Sequence, residues 1–135
     1  MIRGITAGTF DLLHTGHILM LKEAKEQCDY LICALHVDPS IERESKNKPI
    51  QTVYERYIQL RAVSYVDEII PYETEKELET ILQTENIDVR IIGEDYHGKY
   101  FTGNYLCESG NMELHYNKRA HNYSSTELRN RIKQS

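Results

Sequence analysis

At 135 residues the chain has room for one core, so residues 1–135 are read as a single domain. With 40% hydrophobic and 27% charged residues it groups with folded globular proteins, and a formal net charge of −5 argues against a nucleic-acid partner. No apolar run approaches a membrane span. Cys28, Cys33 and Cys107 are an odd set without a C-x-x-C pair, so neither a disulfide framework nor a cysteine zinc site is expected. Met1-Ile2-Arg3-Gly4 enters a strand directly with no signal-peptide core, and the expectation is a reduced cytoplasmic protein.

Ile2 to Ala7 reads as a first strand, followed by a glycine-marked turn and a helix over Ile18 to Lys25. Tyr30 to Val37 is nearly continuous in apolar residues, the mark of a strand buried on both faces of a parallel sheet. Asp38-Pro39-Ser40 breaks it, and 41–51 reads as a polar surface loop. The spacing of apolar residues at 54, 57, 58 and 60 predicts a helix over Tyr54 to Tyr65, and Val66 to Pro71 a third strand. Thr74 and Glu77 form a predicted capping box for a helix whose apolar face is Leu78, Ile81 and Leu82. Val89 to Gly93 is a fourth strand, 97–111 reads as glycine-rich and irregular, and Met112 to Tyr116 alternates like a fifth strand. Ser124 and Glu127 form a second box, opening a last helix through Leu128 and Ile132. Alternating strands and helices make the class α/β with a five-stranded parallel sheet flanked by helices. Ligands of such folds bind beyond the carboxyl ends of the strands.

The densest segment is Gly8-Thr9-Phe10-Asp11-Leu12-Leu13-His14-Thr15-Gly16-His17. Gly8 allows a tight turn and close backbone approach to a phosphate. His14 and His17 fall at the start of a helix, where free N–H groups favour anions. As donors they could stabilise charge that develops on a phosphoryl group. Asp11 is their only obvious acidic neighbour, which makes a poor zinc set.

The pattern G-x-F-D-x-x-H-x-G-H resembles the signature of the nucleotidylyltransferase superfamily, most closely the glycerol-3-phosphate type of its cytidylyltransferase branch. Tyr65-Val66-Asp67-Glu68, Gly93-Glu94-Asp95-Tyr96 and Arg119-Ala120-His121-Asn122-Tyr123-Ser124-Ser125-Thr126 agree with it in order and spacing. The last resembles R-T-E-G-I-S-T-T, with Ala120, His121 and Asn122 as departures. The resemblance implies a Rossmann-like fold and transfer of CMP from CTP to a small polyol phosphate, with Mg²⁺ on the phosphates and no covalent intermediate. Glycerol 3-phosphate is the best-matching acceptor; the product would feed surface polymers such as teichoic acid or capsule. Relatives are commonly homodimers, so a dimer is expected.

By the same resemblance, His14, His17, Lys48 and Arg119 would be catalytic. Gly8, Thr9, Phe10, Asp11, Gly93, Asp95, Tyr123, Ser124, Ser125 and Thr126 would join them in binding the nucleotide. Lys46, Arg56 and Ala120 would face the acceptor. Several of these have plainer readings. Lys46 and Lys48 could be solvated loop charges, Arg56 a solvated helix arginine, Gly93 to Tyr96 a generic turn, and the hydroxyls of Ser124 to Thr126 a helix cap alone. The stretch after the third strand, Tyr72 to Leu78, lacks the tryptophan of the glycerol-phosphate enzymes. It looks as much like adenylyltransferases of heptose phosphate, so ATP with a sugar phosphate is the second enzyme reading. A non-catalytic nucleotide sensor is the reading of another class.

Overall fold

The computed structural model describes residues 1–118 and 124–134. Its elements in chain order are β1 (Arg3–Gly8), α1 (Thr15–Glu26), β2 (Tyr30–His36), α2 (Val53–Arg61), β3 (Glu68–Tyr72), α3 (Glu75–Thr84), β4 (Val89–Gly93), α4 (Asn104–Glu108), β5 (Glu113–Asn117) and α5 (Ser125–Gln134). The five strands form one parallel sheet in the order β3-β2-β1-β4-β5. The chain winds outward from β1 to β3 and then returns to the other side of β1. The crevice where the direction reverses therefore lies at the ends of β1 and β4.

The apolar run of β2 divides between two cores, as a sheet covered on both faces requires. Leu31, Cys33 and Leu35 pack with Leu21 and Ala24 of α1 and Leu60 of α2. Ile32 and Ala34 pack with Leu78 and Leu82 of α3. Among the described residues no helix is long and apolar enough to cross a membrane.

Several boundaries differ from the predicted ones. Helix α2 stops at Arg61 rather than Tyr65, because the N–H groups of Ala62 and Val63 turn back to Gln59 and Leu60. Strand β3 begins at Glu68 rather than Val66; the Asp67 carboxylate instead accepts from the N–H of Leu31. The segment 97–111 is not wholly irregular. It holds α4, entered through Gly103 at φ +83°, a backbone conformation open to glycine. A five-residue helix is too short to show a period. The box at Thr74 and Glu77 is present, and an unanticipated one at Thr52 and Glu55 starts α2.

The loops at the site end are tied by Arg56. Far from being a solvated arginine, it is 2% exposed. Its guanidinium donates to the carbonyls of Gln51 (3.2 Å), Thr9 (3.0 Å), His36 (2.7 Å) and Val37 (2.6 Å). This holds the loop after β1, the end of β2 and the entry to α2 together. The expected acceptor contact is thus replaced by a scaffold role: four of its N–H groups are committed to backbone.

Replacing Arg56 with Met would leave those carbonyls buried and unpaired. The expected loss is about 3–5 kcal/mol in urea unfolding. A loss under about 1 kcal/mol would mean that water can take the guanidinium's place.

Candidate active site

The turn after β1 is made differently from the sequence expectation. The left-handed residues are Phe10 and Leu12, both at φ 52°, and not Gly8. Such strain in non-glycine residues persists only where neighbours hold it. Here Asp11, 9% exposed, accepts from the N–H groups of Ile50 (2.8 Å) and Gln51 (2.9 Å), while Leu12 N–H donates to Gln51 Oε1 (2.8 Å). Gly8 has another use: a Cβ there would lie 3.3 Å from the Phe10 ring.

The histidines cap α1, and they do it for each other. His14 is the N-cap, and its Nδ1 accepts from Gly16 N–H at 2.9 Å. His17 is the third helical residue, and its Nδ1 accepts from His14 N–H at 3.2 Å. This is the reciprocal logic of a capping box, built from imidazoles. A ring nitrogen that accepts carries no proton, so each neutral ring holds its proton on Nε2. The rings lie 4.1 Å apart. Burial, then the charge of His14, lower the pKa of His17 from 6.5 to about 4, with Asp11 pulling weakly the other way. His17 is therefore a neutral Nε2–H donor at pH 7, fixed in orientation by the helix it starts.

Two clefts open at this end of the sheet. One, of about 270 Å³, lies on the α1 side and is lined by Thr9, Phe10, Asp11, His17, Pro39, Lys46, Asn47, Lys48, Pro49 and Arg129. Of these, Arg129 was not anticipated. It reaches from α5 to Asp11 at 3.3 Å, and its buried Nε has no partner among the described residues. Helical spacing was the available signal, since Arg129 lies one turn beyond Ser125.

The other cleft, of about 340 Å³, runs from Met20 of α1 over the strand ends to the α3 side, where most of its wall lies; its walls include Gly8, Thr9, His36, Lys46, Tyr72, Arg90, Gly93, Asp95, Tyr96 and Phe101. The clefts share Thr9, Pro39 and Lys46. At Gly93 a Cβ would come 2.5 Å from Asp95 Oδ1, so a side chain there would displace that carboxylate. His36 stacks on Tyr72 at 4.5 Å, and burial lowers the pKa of the one and raises that of the other. His36, Tyr72 and Arg90 escaped the sequence reading, although a charged residue inside Val89-Arg90-Ile91-Ile92 was a visible anomaly.

Ser124 caps α5, its Oγ accepting from Glu127 N–H at 3.0 Å; neither it nor the exposed Thr126 lines these two clefts. Arg119, Ala120, His121, Asn122 and Tyr123 lie outside the described residues, as does the side chain of Ser125.

A parallel sheet, a helix N-terminus carrying two oriented imidazoles, and a lysine where two clefts meet define a phosphate-handling α/β protein. The chain matches the Cytidylyltransferase-like family over residues 5–131, and it belongs to that family. It is 34% identical over 132 residues to the glycerol-3-phosphate cytidylyltransferase of Bacillus subtilis (strain 168), covering 98% of each chain. To the enzyme of that name from Staphylococcus aureus (strain NCTC 8325 / PS 47) it is 35% identical over 133 residues, covering 98% of this chain and 96% of the other. A lipopolysaccharide core biosynthesis protein of Thermoplasma volcanium GSS1 shares the fold at a TM-score of 0.65 and 25% identity, over 87% of this chain and 93% of that one.

Exchanging His17 for Asn keeps an acceptor near the Nδ1 position and removes the Nε2–H donor. His17→Asn is expected to stay within about 1 kcal/mol of wild-type stability while turnover falls on the order of 10²-fold. His17→Ala should lose both cap and donor. Equal turnover of His17→Asn and wild type would remove the donor from the chemistry.

His17 also sets a pH dependence. Its folded pKa lies below the unfolded value, so as pH falls the unfolded chain takes up the proton first. Its contribution is complete above about pH 6.5 and is lost between there and about pH 4. The loss is up to about 3 kcal/mol, read as the difference between the wild-type and His17→Asn stability curves in urea.

Proposed function

We propose that this protein transfers CMP from CTP to glycerol 3-phosphate, releasing pyrophosphate and forming CDP-glycerol. The observation that carries the reading is the meeting of the two clefts at Thr9 and Lys46, beside the paired histidines. The near full-length likeness to glycerol-3-phosphate cytidylyltransferases supports the choice of nucleotide and acceptor.

In the reaction an oxygen of the acceptor phosphate attacks the α-phosphorus, and the bond to the β-phosphate oxygen breaks in line with it. The triphosphate end occupies the α1-side cleft, against His17, Lys48 and Arg129. The nucleoside runs toward Gly93 and Asp95. His17 Nε2–H donates to the oxygens on which charge develops, and the N-terminus of α1 adds its field. Lys46, which lines both clefts, offsets the repulsion between the two phosphates. Asp11 acts indirectly, through the turn it holds and through Arg129. No nucleophilic side chain is needed, so the protein acts by positioning and charge stabilisation.

Among the described residues no group of three or more His, Cys, Asp or Glu could cage a metal. Magnesium that travels on a triphosphate keeps several waters and needs only one or two carboxylates. Asp95, in the wall of the cleft that adjoins the triphosphate's at Thr9 and Lys46, would be the carboxylate to hold it: the Asp11 oxygens are taken by backbone and Arg129, and Glu75 is taken by Arg43 and Thr102. Bound there, the ion would neutralise charge on the phosphates.

The enzyme works in the cytoplasm, where CTP is made, and as a homodimer. Ile50, Tyr54 and Ile58 stand exposed along one side of α2 and its approach, which supports pairing with a second copy. Light scattering at micromolar concentration should give twice the 15.8 kDa chain mass; the single mass would overturn the dimer.

Pyrophosphate release in Mg²⁺ tests the reaction, crossing CTP and ATP with glycerol 3-phosphate and sugar phosphates. Release with CTP and glycerol 3-phosphate is expected, and release only with ATP and a sugar phosphate would transfer the reading to an adenylyltransferase. Lys46→Ala should raise the KM for the acceptor and for CTP. Lys48→Ala should act on CTP alone, each by about tenfold or more.

A further inference from the structure

Arg90 stands inside β4, level with Ile5 of β1 and facing α3. It is 5% exposed. Among the described residues its one hydrogen bond runs from Nη1 to the carbonyl of Thr102, at 3.0 Å. Its guanidinium carbon lies 5.6 Å from the centroid of the Phe101 ring, and its Nε has no partner among the described residues. No carboxylate pairs with it among the described residues, since the nearby Glu75 is held by Arg43 and by the hydroxyl of Thr102. Also in the cleft wall, the Nε2 of His36 is buried and has no partner among the described residues. A buried cation short of acceptors is costly, and a ligand that supplies acceptors relieves the cost.

The direction of transfer says which ligand reaches this place. The attacking and leaving oxygens lie on opposite sides of the α-phosphorus. With pyrophosphate leaving on the α1 side, the acceptor enters from the α3-side cleft. Its phosphate sits where the clefts meet, at Thr9 and Lys46. Arg90 is level with Ile5, four residues earlier than Thr9, or roughly 13 Å along the strand. Its own side chain spans part of that distance. It therefore meets the end of the acceptor remote from the reacting phosphate.

We propose that Arg90 is a specificity-determining residue of the acceptor site, hydrogen-bonding oxygen atoms at the far end of a phosphorylated polyol. This rests on the cytidylyl-transfer reading above. A site built around a buried donor accepts a hydroxylated tail and rejects one that leaves the donor unpaired.

The test compares wild type, Arg90→Met and Arg90→Lys by pyrophosphate release with CTP, using glycerol 3-phosphate and n-propyl phosphate, which lacks both hydroxyls. Wild type should prefer glycerol 3-phosphate in kcat/KM by on the order of 10²-fold. Arg90→Met should lose most of that preference, with the KM for CTP within about twofold of wild type. Arg90→Lys should fall between, because an ammonium keeps the charge and lacks the planar fork. Thermal melts show whether each variant is folded; if Arg90→Met is not, Arg90→Lys decides. A wild-type preference retained in the folded variant overturns the proposal. Wild type that uses only a sugar phosphate overturns the glycerol reading, and Arg90 is then judged by the same ratio, against that sugar's deoxy analogue. Silence with every acceptor overturns both.

Discussion

A buried guanidinium grips the carbonyls of Thr9, His36, Val37 and Gln51, and the geometry of the whole site end depends on that grip. Parallel strands end with unpaired carbonyls pointing at the crevice where the ligand must sit. Left dry and unpaired, those groups would be costly. Arg56 satisfies them from below with one planar, fixed fork, and so leaves the upper surface to the ligand. It also sets the distance between the loop after β1, which leads into the helix start at His17, and the loop after β2, which carries Lys46.

The same economy governs the histidines. A helix start carries N–H groups without intrahelical partners, and these are usually met by a hydroxyl or carboxylate. In α1 they are met by the Nδ1 atoms of His14 and His17. Capping thereby fixes the tautomer and turns each Nε2 into the proton-bearing atom, while burial and the neighbouring His14 keep His17 uncharged at neutral pH. A neutral donor suits charge that appears only in the transition state, because it binds the resting phosphates less tightly than a cation would. The strained turn at Phe10 and Leu12 places this helix start, and Asp11 holds the turn through the backbone of Ile50 and Gln51.

The two faces of the sheet divide the labour. On the α1 side the cleft is lined by Lys46, Lys48, His17 and Arg129, an arrangement for polyphosphate. On the α3 side aromatic rings surround a single buried cation, an arrangement that reads shape and hydrogen-bonding oxygens. Lys46 lines both. Two anions that repel each other can be brought together only where cationic charge lies between them.

The linear sequence determined the class and the sheet. Apolar runs at β2 and β4, capping residues at Thr74 and Ser124, and regular strand and helix alternation act over a few residues, so they are visible without contacts. It also marked Gly8 to His17, because the chemistry there is local to one turn and one helix start. Tertiary structure decided what individual polar residues do. Whether Arg56 is solvated or buried depends on carbonyls up to 47 positions away. That Asp11 positions a loop depends on Ile50 and Gln51 meeting it, and that Arg129 reaches the phosphate side depends on where α5 lands. Arg90 was readable as an anomaly inside a buried strand. What it faces was not, since the cleft is assembled from β1, β2, β4, α3 and the loop through Thr102, which meet only when the sheet closes.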